Sequence, residues 1–410
     1  MKITPIKGAC DYLPSEVAIR YYLQTAILKT YQSAGFKRIT TPILEDIDNL
    51  DKSDGGDNLN LIFRVQKRGD KLKESIEQKR FNDLCDMGLR YDLTLPLTRY
   101  YANSRSKLSN PFKVIQIGES YRAEQPQRGR LREFTQCDID IIGSTSINCE
   151  IELIDTAATT LLNIGIDNFK VKINDRRILK DILSTIGFAE EEMDSVSITI
   201  DKLDKIGFEG VKEELLQKEF DENIVEKLID VFKTIPFTLD FAKKYCSNTR
   251  YIEDLENIIN CINKVSENKY SIEYDITLVR GQGYYTGAVF EIESLDYKGS
   301  IAGGGRYDNL VGKFIGEDIP AVGISIGFER IFSIFKDNNF QIPESKKKVA
   351  VIHKEDEIVE AINYRKKLIS EYDVSLFTRP KKLGKLKERL YNQNFYAVYV
   401  LGESAEILEN

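Results

Sequence analysis

Residues Tyr121 to Gln136 read Y-R-A-E-Q-P-Q-R-G-R-L-R-E-F-T-Q, four arginines, two acids and a glycine in one short stretch. Pro126 and Gly129 mark a turn, so the segment is expected to fold back on itself as a hairpin. A guanidinium offers a fixed fork of donors that matches a phosphate bidentately, and a neighbouring acid such as Glu124 can orient that fork or accept hydrogen bonds from a substrate. The combination suits an anion held against a purine. The same residues would also make a salt-bridged hairpin on a solvated surface, and the segment alone leaves both readings open.

Upstream, Ile19, Tyr22, Leu23, Ala26, Ile27, Tyr31 and Ala34 recur at helical spacing, with Ser15 expected as N-cap and Gly35 as the stop. Phe36 to Pro42 reads as a strand that Pro42 confines to an edge or an end. Residues 64–80 are too charged for a core and read as a solvated excursion, with a lid as the alternative. In L-R-Y-D-L-T, strand periodicity would put Asp92 and Thr94 on one face, an acid and a hydroxyl able to hold an ammonium group.

Downstream, residues 174–268 read as an acid-rich helical insertion, and strand character returns at Tyr274 to Val279 and Gly287 to Ile292. Between these lies R-G-Q-G-Y-Y-T-G, Arg280 to Gly287, where glycines let backbone approach a ligand beside a cation and two phenols. A-G-G-G-R-Y-D, Ala302 to Asp308, adds a second glycine cluster, and G-I-S-I-G-F-E-R-I reads as a strand entering a helix at Glu329 and Arg330. Read singly, each cluster could be a tight turn and the tyrosines ordinary core. After Phe340, Q-I-P-E-S-K-K-K reads as a linker, followed by alternating strands and helices that indicate a small α/β domain.

The 410 residues, 42% of them hydrophobic, suffice for about two or three domains. With 58 Lys+Arg against 65 Asp+Glu the net charge is −7, so any nucleic-acid contact has to come from local basic patches. Six cysteines without a C-x-x-C pair and a single histidine, His353, argue against a zinc site and for reduced thiols. His353 lies on an apolar strand-like run and is expected to be structural, so arginines, carboxylates and a metal ion supplied with the substrate are left to do the chemistry. No P-loop and no G-x-G-x-x-G opening a helix is present. The start M-K-I-T-P-I-K-G lacks an apolar leader and no run of about 18 apolar residues occurs, so a cytoplasmic protein without membrane spans is expected.

Taken together and in order, these segments closely resemble the histidyl-tRNA synthetase family, class II aminoacyl-tRNA synthetases. G-F-K-R-I-T-T-P-I-L-E resembles motif 1, Tyr121 to Gln136 motif 2 and G-I-S-I-G-F-E-R-I motif 3, while L-V-R-G-Q-G-Y-Y-T-G and A-G-G-G-R-Y-D resemble the two histidine signatures. The resemblance implies an α+β catalytic domain with an antiparallel sheet of six or seven strands and flanking helices, a helical insertion, and a small C-terminal anticodon-binding α/β domain. The expected boundaries are 1–173 and 269–340 for the catalytic domain, 174–268 for the insertion and 346–410 for the C-terminal domain.

It also implies histidine activation by ATP with Mg²⁺, transfer to histidine tRNA, and a homodimer formed through motif 1. By the same carry-over, Arg122, Arg280 and Arg330 are catalytic, with Arg122, Glu124, Arg130, Phe134 and Arg330 on ATP. Asp92, Thr94, Gln136, Asp140, Arg280, Tyr284 and Tyr285 would hold histidine, and no protein side chains are assigned to a metal. Gln127, Arg128, Arg132, Lys381 and Lys382 would meet tRNA. Gln282-Gly283 departs from the Leu-Asp of many relatives, and the chain stops where relatives continue through a further strand and helix, so a truncated C-terminal domain is expected. The rival is the histidine-binding regulatory subunit of ATP phosphoribosyltransferase, which should lack the reactive arginines and the C-terminal domain; a tRNA-sensing module of a kinase would carry a kinase segment.

Overall fold

A computed structural model describes residues 2–51, 60–127, 129–233, 238–246, 248–279, 284–297, 299–338, 340–343, 346–403 and 405–408. Arg128 and Arg280 lie outside the described residues. Residues Met1–Phe340 and Gln341–Asn410 form two compact units.

The hairpin expected around Pro126 is the centre of the first unit. Phe112–Tyr121 and Glu133–Ile142 pair antiparallel over their full lengths, from Phe112 opposite Ile142 to Tyr121 opposite Glu133. Ala321–Gly327, Gly299–Arg306, Ala288–Ser294 and Phe169–Asp175 extend this pair by successive antiparallel ladders. The sheet has eight strands rather than six or seven, because short parallel strands close both edges: Lys37–Arg38 beside Phe112–Tyr121, and Ser271–Tyr274 beside Phe169–Asp175. Of the expected strand at Phe36 to Pro42 only Lys37–Arg38 pairs. The one expected at Tyr274 to Val279 instead ends at Tyr274, where its ladder with Phe169–Asp175 stops.

Alternation along Glu133–Ile142 divides the sheet faces. Cys137, Ile139 and Ile141 enter a core with Leu23, Ile27 and Tyr31 of helix Pro14–Ser33 and with Leu153, Ala157 and Leu161 of helix Asn148–Asn163. Tyr31 crosses this layer to donate to the Cys137 carbonyl at 3.1 Å. The first helix begins before Ser15: Pro14 takes the opening position, where a missing N–H is harmless, and Glu16 accepts the Leu13 amide at 2.6 Å. Gly35 follows its end at φ +87°, as expected of a stop.

Residues 64–80 are not a bare loop. Arg64–Gln66 pairs with Cys85–Leu89 in a small sheet completed by Leu44–Asp46, and Gly69–Glu77 is a helix. The stretch expected as an insertion carries helices from Arg176–Ile186 to Arg250–Val265, whose buried Ile178, Ile182, Leu255 and Ile262 share the core of the main sheet.

In the second unit, Lys347–His353 lies between parallel partners Tyr372–Thr378 and Ala397–Val400, and Glu406–Ile407 adds an antiparallel edge. Helices Ile358–Leu368 and Leu383–Asn392 accompany it. His353 is buried at the end of its strand with Nδ1 2.6 Å from the Lys354 carbonyl oxygen.

Arg306, in the second glycine cluster, serves the fold. Its Nε and Nη2 donate to Glu150 at 2.6 and 2.8 Å, joining a central strand to helix Asn148–Asn163, and both residues are buried. Removing one partner of such a pair strands a charge. Arg306→Ala is expected to lower unfolding free energy by about 3–5 kcal/mol, and pairing Arg306→Met with Glu150→Met to recover most of that, read from urea unfolding.

Candidate active site

The face of the sheet opposite the core opens a cavity of about 280 Å³. Phe134, Gln136, Asp138 and Asp140, alternate residues of one strand, line it. On the next strand, Gly327, Ser325 and Gly323 stand opposite Gln136, Asp138 and Asp140. Gly303 and Gly305 stand in turn beside Ser325 and Gly323. Gly303, Gly305, Gly323 and Gly327 are therefore strand residues, and they clear space. A Cβ on Gly323 would collide with the Asp140 carboxylate, and one on Gly305 would come within 2.9 Å of the Tyr285 ring.

Asp92 and Thr94 line the same cavity, but not from a strand. The strand ends at Leu89, and helix Thr94–Ser104 begins where Asp92 Oδ1 accepts the Leu95 amide at 3.2 Å. Asp92 thus acts as a helix-start acceptor, a role short acids favour over strand positions, and Pro96 tolerates only this first turn. Two ties hold this turn against the hairpin: the Gln116 amide donates to the Leu93 carbonyl at 2.8 Å, and Arg122 Nε to the Tyr91 carbonyl at 3.1 Å.

The cavity wall has two chemically different sets of groups. One is cationic: Arg122, lying over the Phe134 ring at 5.0 Å, Arg130, whose Nε is 3.2 Å from Glu124 Oε2, and Arg330 at the start of helix Phe328–Asp337. The other is a set of buried acceptors. Asp92 Oδ2, Gln136 Oε1 and Asp138 Oδ1 are buried without a hydrogen-bond partner. Beside them, Tyr307 donates to Asp140 Oδ1 at 2.6 Å, Ser325 is hydrogen-bonded to Asp138, and Tyr284 to Thr94. Tyr284 packs edge-on against both Tyr285 and Tyr307.

Burial pushes all three carboxyls up. Asp138 rises well above the usual range through burial and then the neighbouring Asp140. Asp92 rises through burial, partly offset by the Leu95 amide and Arg122. Asp140 is pushed up to about 7 by burial, against the pull of the Tyr307 hydrogen bond.

Of the residues expected from sequence, Asp92, Thr94, Arg122, Glu124, Arg130, Phe134, Gln136, Asp140, Tyr284, Tyr285 and Arg330 line this one cavity. Gln127 sits at the hairpin tip, exchanging backbone hydrogen bonds with Arg130 at 2.9 Å. Arg132 is half-buried, its Nε donating to the Glu124 carbonyl at 3.0 Å. Lys381 and Lys382 are exposed ahead of helix Leu383–Asn392 in the second unit. Sequence reasoning missed Asp138 and Tyr307. The period of two that runs through Gln136 and Asp140 passes through Asp138 and could have found it; Tyr307 lies within A-G-G-G-R-Y-D, but its reach to Asp140 is not local.

A sheet of this topology, with the second and third of these motifs and both histidine signatures on one cavity, is the catalytic domain of a class II aminoacyl-tRNA synthetase. A family model described as histidyl-tRNA synthetase matches residues 8–331. The histidine–tRNA ligase of Leifsonia xyli subsp. xyli is 40% identical over 364 residues, 84% of this chain and 81% of its own. That of Christiangramia forsetii is 33% identical over 97% of this chain and 91% of its own. The crystal structure of histidyl-tRNA synthetase from Nostoc sp. PCC 7120 superposes with a TM-score of 0.78 at 26% identity, covering 97% of this chain and 91% of that one. A Bacillus halodurans C protein described as an ATP phosphoribosyltransferase regulatory subunit/histidyl-tRNA synthetase shares the fold, with a TM-score of 0.77 at 19% identity. The chain belongs to the histidyl-tRNA synthetase family.

The Asp140 shift has a measurable consequence. Its carboxyl ordinarily titrates at 3.8, so between there and about 7 the unfolded chain has released a proton that the folded chain keeps. Stability from this group is complete below pH 4 and is lost as pH rises through 7. Asp140→Asn, which still accepts from Tyr307, should therefore gain stability over the parent between pH 4 and pH 8, on the order of 2 kcal/mol in urea unfolding of the ligand-free protein.

Proposed function

We propose that this protein is a histidyl-tRNA synthetase. It couples L-histidine to ATP, forming histidyl-adenylate and pyrophosphate, and passes the histidyl group to the terminal adenosine of histidine tRNA. The observation that carries the reading is the convergence of three buried, unpartnered acceptors, Asp92 Oδ2, Gln136 Oε1 and Asp138 Oδ1, in the same cavity as Arg122 and Arg330. An ammonium group supplies the donors those acceptors lack, and a phosphate matches the planar donor fork of a guanidinium. An amino acid beside a nucleotide satisfies both.

In the first step a histidine carboxylate oxygen attacks the α-phosphorus in line and pyrophosphate leaves. The nucleophile is already ionised, so positioning and charge stabilisation carry the rate and no side-chain base is required. Arg122 binds the α-phosphate, Arg330 the γ-phosphate, Arg280 bridges carboxylate and α-phosphate, and Glu124 and Arg130 flank the nucleotide, with Phe134 stacked on adenine. Thr94 joins the ammonium acceptors. Asp140, held by Tyr307, and the pair Tyr284 and Tyr285 read the imidazole nitrogens; buried polar partners reject ligands lacking the matching donors. In the second step a ribose hydroxyl of the tRNA attacks the adenylate carbonyl and AMP leaves.

Mg²⁺ would arrive with ATP and would supply charge screening of its phosphates; among the described residues no group of three or more His, Cys, Asp or Glu could hold a metal. Gln127, at the hairpin tip, approaches the acceptor end together with Arg128 and Arg132, and Lys381 and Lys382 meet phosphates of the anticodon arm. A second copy would cover the exposed Ile43 and Leu44 that follow Pro42, giving a homodimer. No helix among the described residues is long and apolar enough to cross a membrane, and a tRNA substrate places the enzyme in the cytoplasm.

The test is exchange of labelled pyrophosphate into ATP. Histidine alone among the amino acids should support it, Arg122→Ala and Arg280→Ala should lower it by about 100-fold or more, and Asp138→Ala should raise the KM for histidine by about 10-fold or more. Histidine binding without exchange would move the regulatory-subunit reading to first place.

A further inference from the structure

Outside the cavity, buried polar side chains gather where strand Phe169–Asp175 runs into helix Arg176–Ile186. Asn174 is fully buried, and its amide donates twice, to the Ile276 carbonyl at 3.1 Å and the Leu278 carbonyl at 3.0 Å. Two residues on, Arg176 Nη1 donates to the Tyr285 carbonyl at 3.2 Å and its backbone N–H to the Gly287 carbonyl at 3.1 Å. Ile276, Leu278 and Tyr285 lie outside the strands, which end at Tyr274 and resume at Ala288, so no sheet ladder takes up these carbonyls. Asn174 and Arg176 grip the segment from both ends.

The segment bears on the ligand cavity, since Tyr284 and Tyr285 line it while the Tyr285 carbonyl is held from behind by Arg176. On its other side the Arg176 guanidinium stands 3.6 Å from Asp194, in helix Glu190–Ile200. One buried arginine thus bridges the helical stretch and the backbone of a cavity residue.

We propose that Asn174 and Arg176 are positioning residues for the amino-acid half of the reaction, setting the backbone of Tyr284 and Tyr285 so that their rings meet the histidine side of the cavity. The inference rests on the synthetase reading. A purely structural role would lower stability and weaken both substrates together. A positioning role weakens histidine and largely spares ATP, whose contacts other than Arg280 lie on the hairpin and on helix Phe328–Asp337.

The experiment is pyrophosphate exchange by the full chain, with the KM for histidine and for ATP measured separately, and thermal unfolding alongside. Arg176→Ala should raise the histidine KM by about 10-fold, with the ATP KM within about twofold and Arg176→Lys recovering part of the loss. If Arg176→Ala does not fold, Arg176→Lys carries the test by itself. It keeps the charge but not the fork, and the same split is expected at about threefold. Asn174→Asp, which turns two donors into acceptors facing carbonyls, should split the two KM values in the same direction. An unchanged histidine KM in a folded variant, or equal rises for both substrates, overturns the inference. Wild-type protein that performs no exchange would instead overturn the synthetase reading.

Discussion

The cavity depends on one buried ion pair beneath it. Arg20 of the first helix donates to both carboxylate oxygens of Glu329 at 2.6 and 2.8 Å and to the Thr135 hydroxyl at 3.0 Å, while Glu329 also accepts the Thr135 amide at 3.0 Å. The guanidinium is enclosed by the rings of Tyr12, Phe328 and Phe332. Three segments far apart in sequence are thereby registered to one point: the first helix, the returning strand of the hairpin and the helix after Gly327. Phe134 and Gln136 flank Thr135, and Arg330 follows Glu329, so the network fixes the backbone that carries these three cavity residues. Glu329 stands in the first turn of its helix, where the dipole favours a negative charge. A buried pair is weak evidence for net stability, and its use here lies in registering elements that hydrophobic contact alone would let slide.

Depth comes from a different device. Polar side chains can point into a sheet face only where the neighbouring strand leaves room, and here Gly323, Ser325 and Gly327 stand opposite Asp140, Asp138 and Gln136. On the hairpin's other strand, Gly118 lies opposite Gln136, and a Cβ there would strike the Arg90 guanidinium at 2.5 Å. That guanidinium is itself buried and ties the Thr41 and Glu119 carbonyls together at 2.9 and 2.7 Å. Small residues thus serve both the cavity and the join between the region before Pro42 and the hairpin.

Much of this was legible in the sequence because it rests on short-range rules. The hairpin follows from turn residues between two alternating stretches, the stop at Gly35 from its positive φ, and the entry of G-I-S-I-G into a helix from the change of period at Phe328. Asp92 and Thr94 were legible as a pair and misread as a strand, because an Asp followed by a Pro four residues on is also a helix start, and tertiary ties to Gln116 and Arg122 decide between the two. The Arg20–Glu329 link spans 309 residues, and Tyr307 reaches Asp140 across 167; neither separation leaves a local trace. The two parallel edge strands, only two and four residues long, were legible as strand character but not in their bounds, which pairing with the neighbouring strand decides.

Asp92, Asp138 and Asp140 are each unfavourable as carboxylates in a buried site, and each is held above its usual titration range. On the proposed reading a bound ammonium group would compensate Asp92 and Asp138, so the favourable interaction of the ligand's cationic end would grow with the burial that disfavours the empty, ionised site. In the proposed reaction the ligand's carboxylate would gain nothing from that wall and would be driven toward the guanidinium side, where the phosphates of ATP would also lie. Charge separation within the cavity would thus orient the zwitterion, putting an ionised nucleophile next to the phosphorus it attacks.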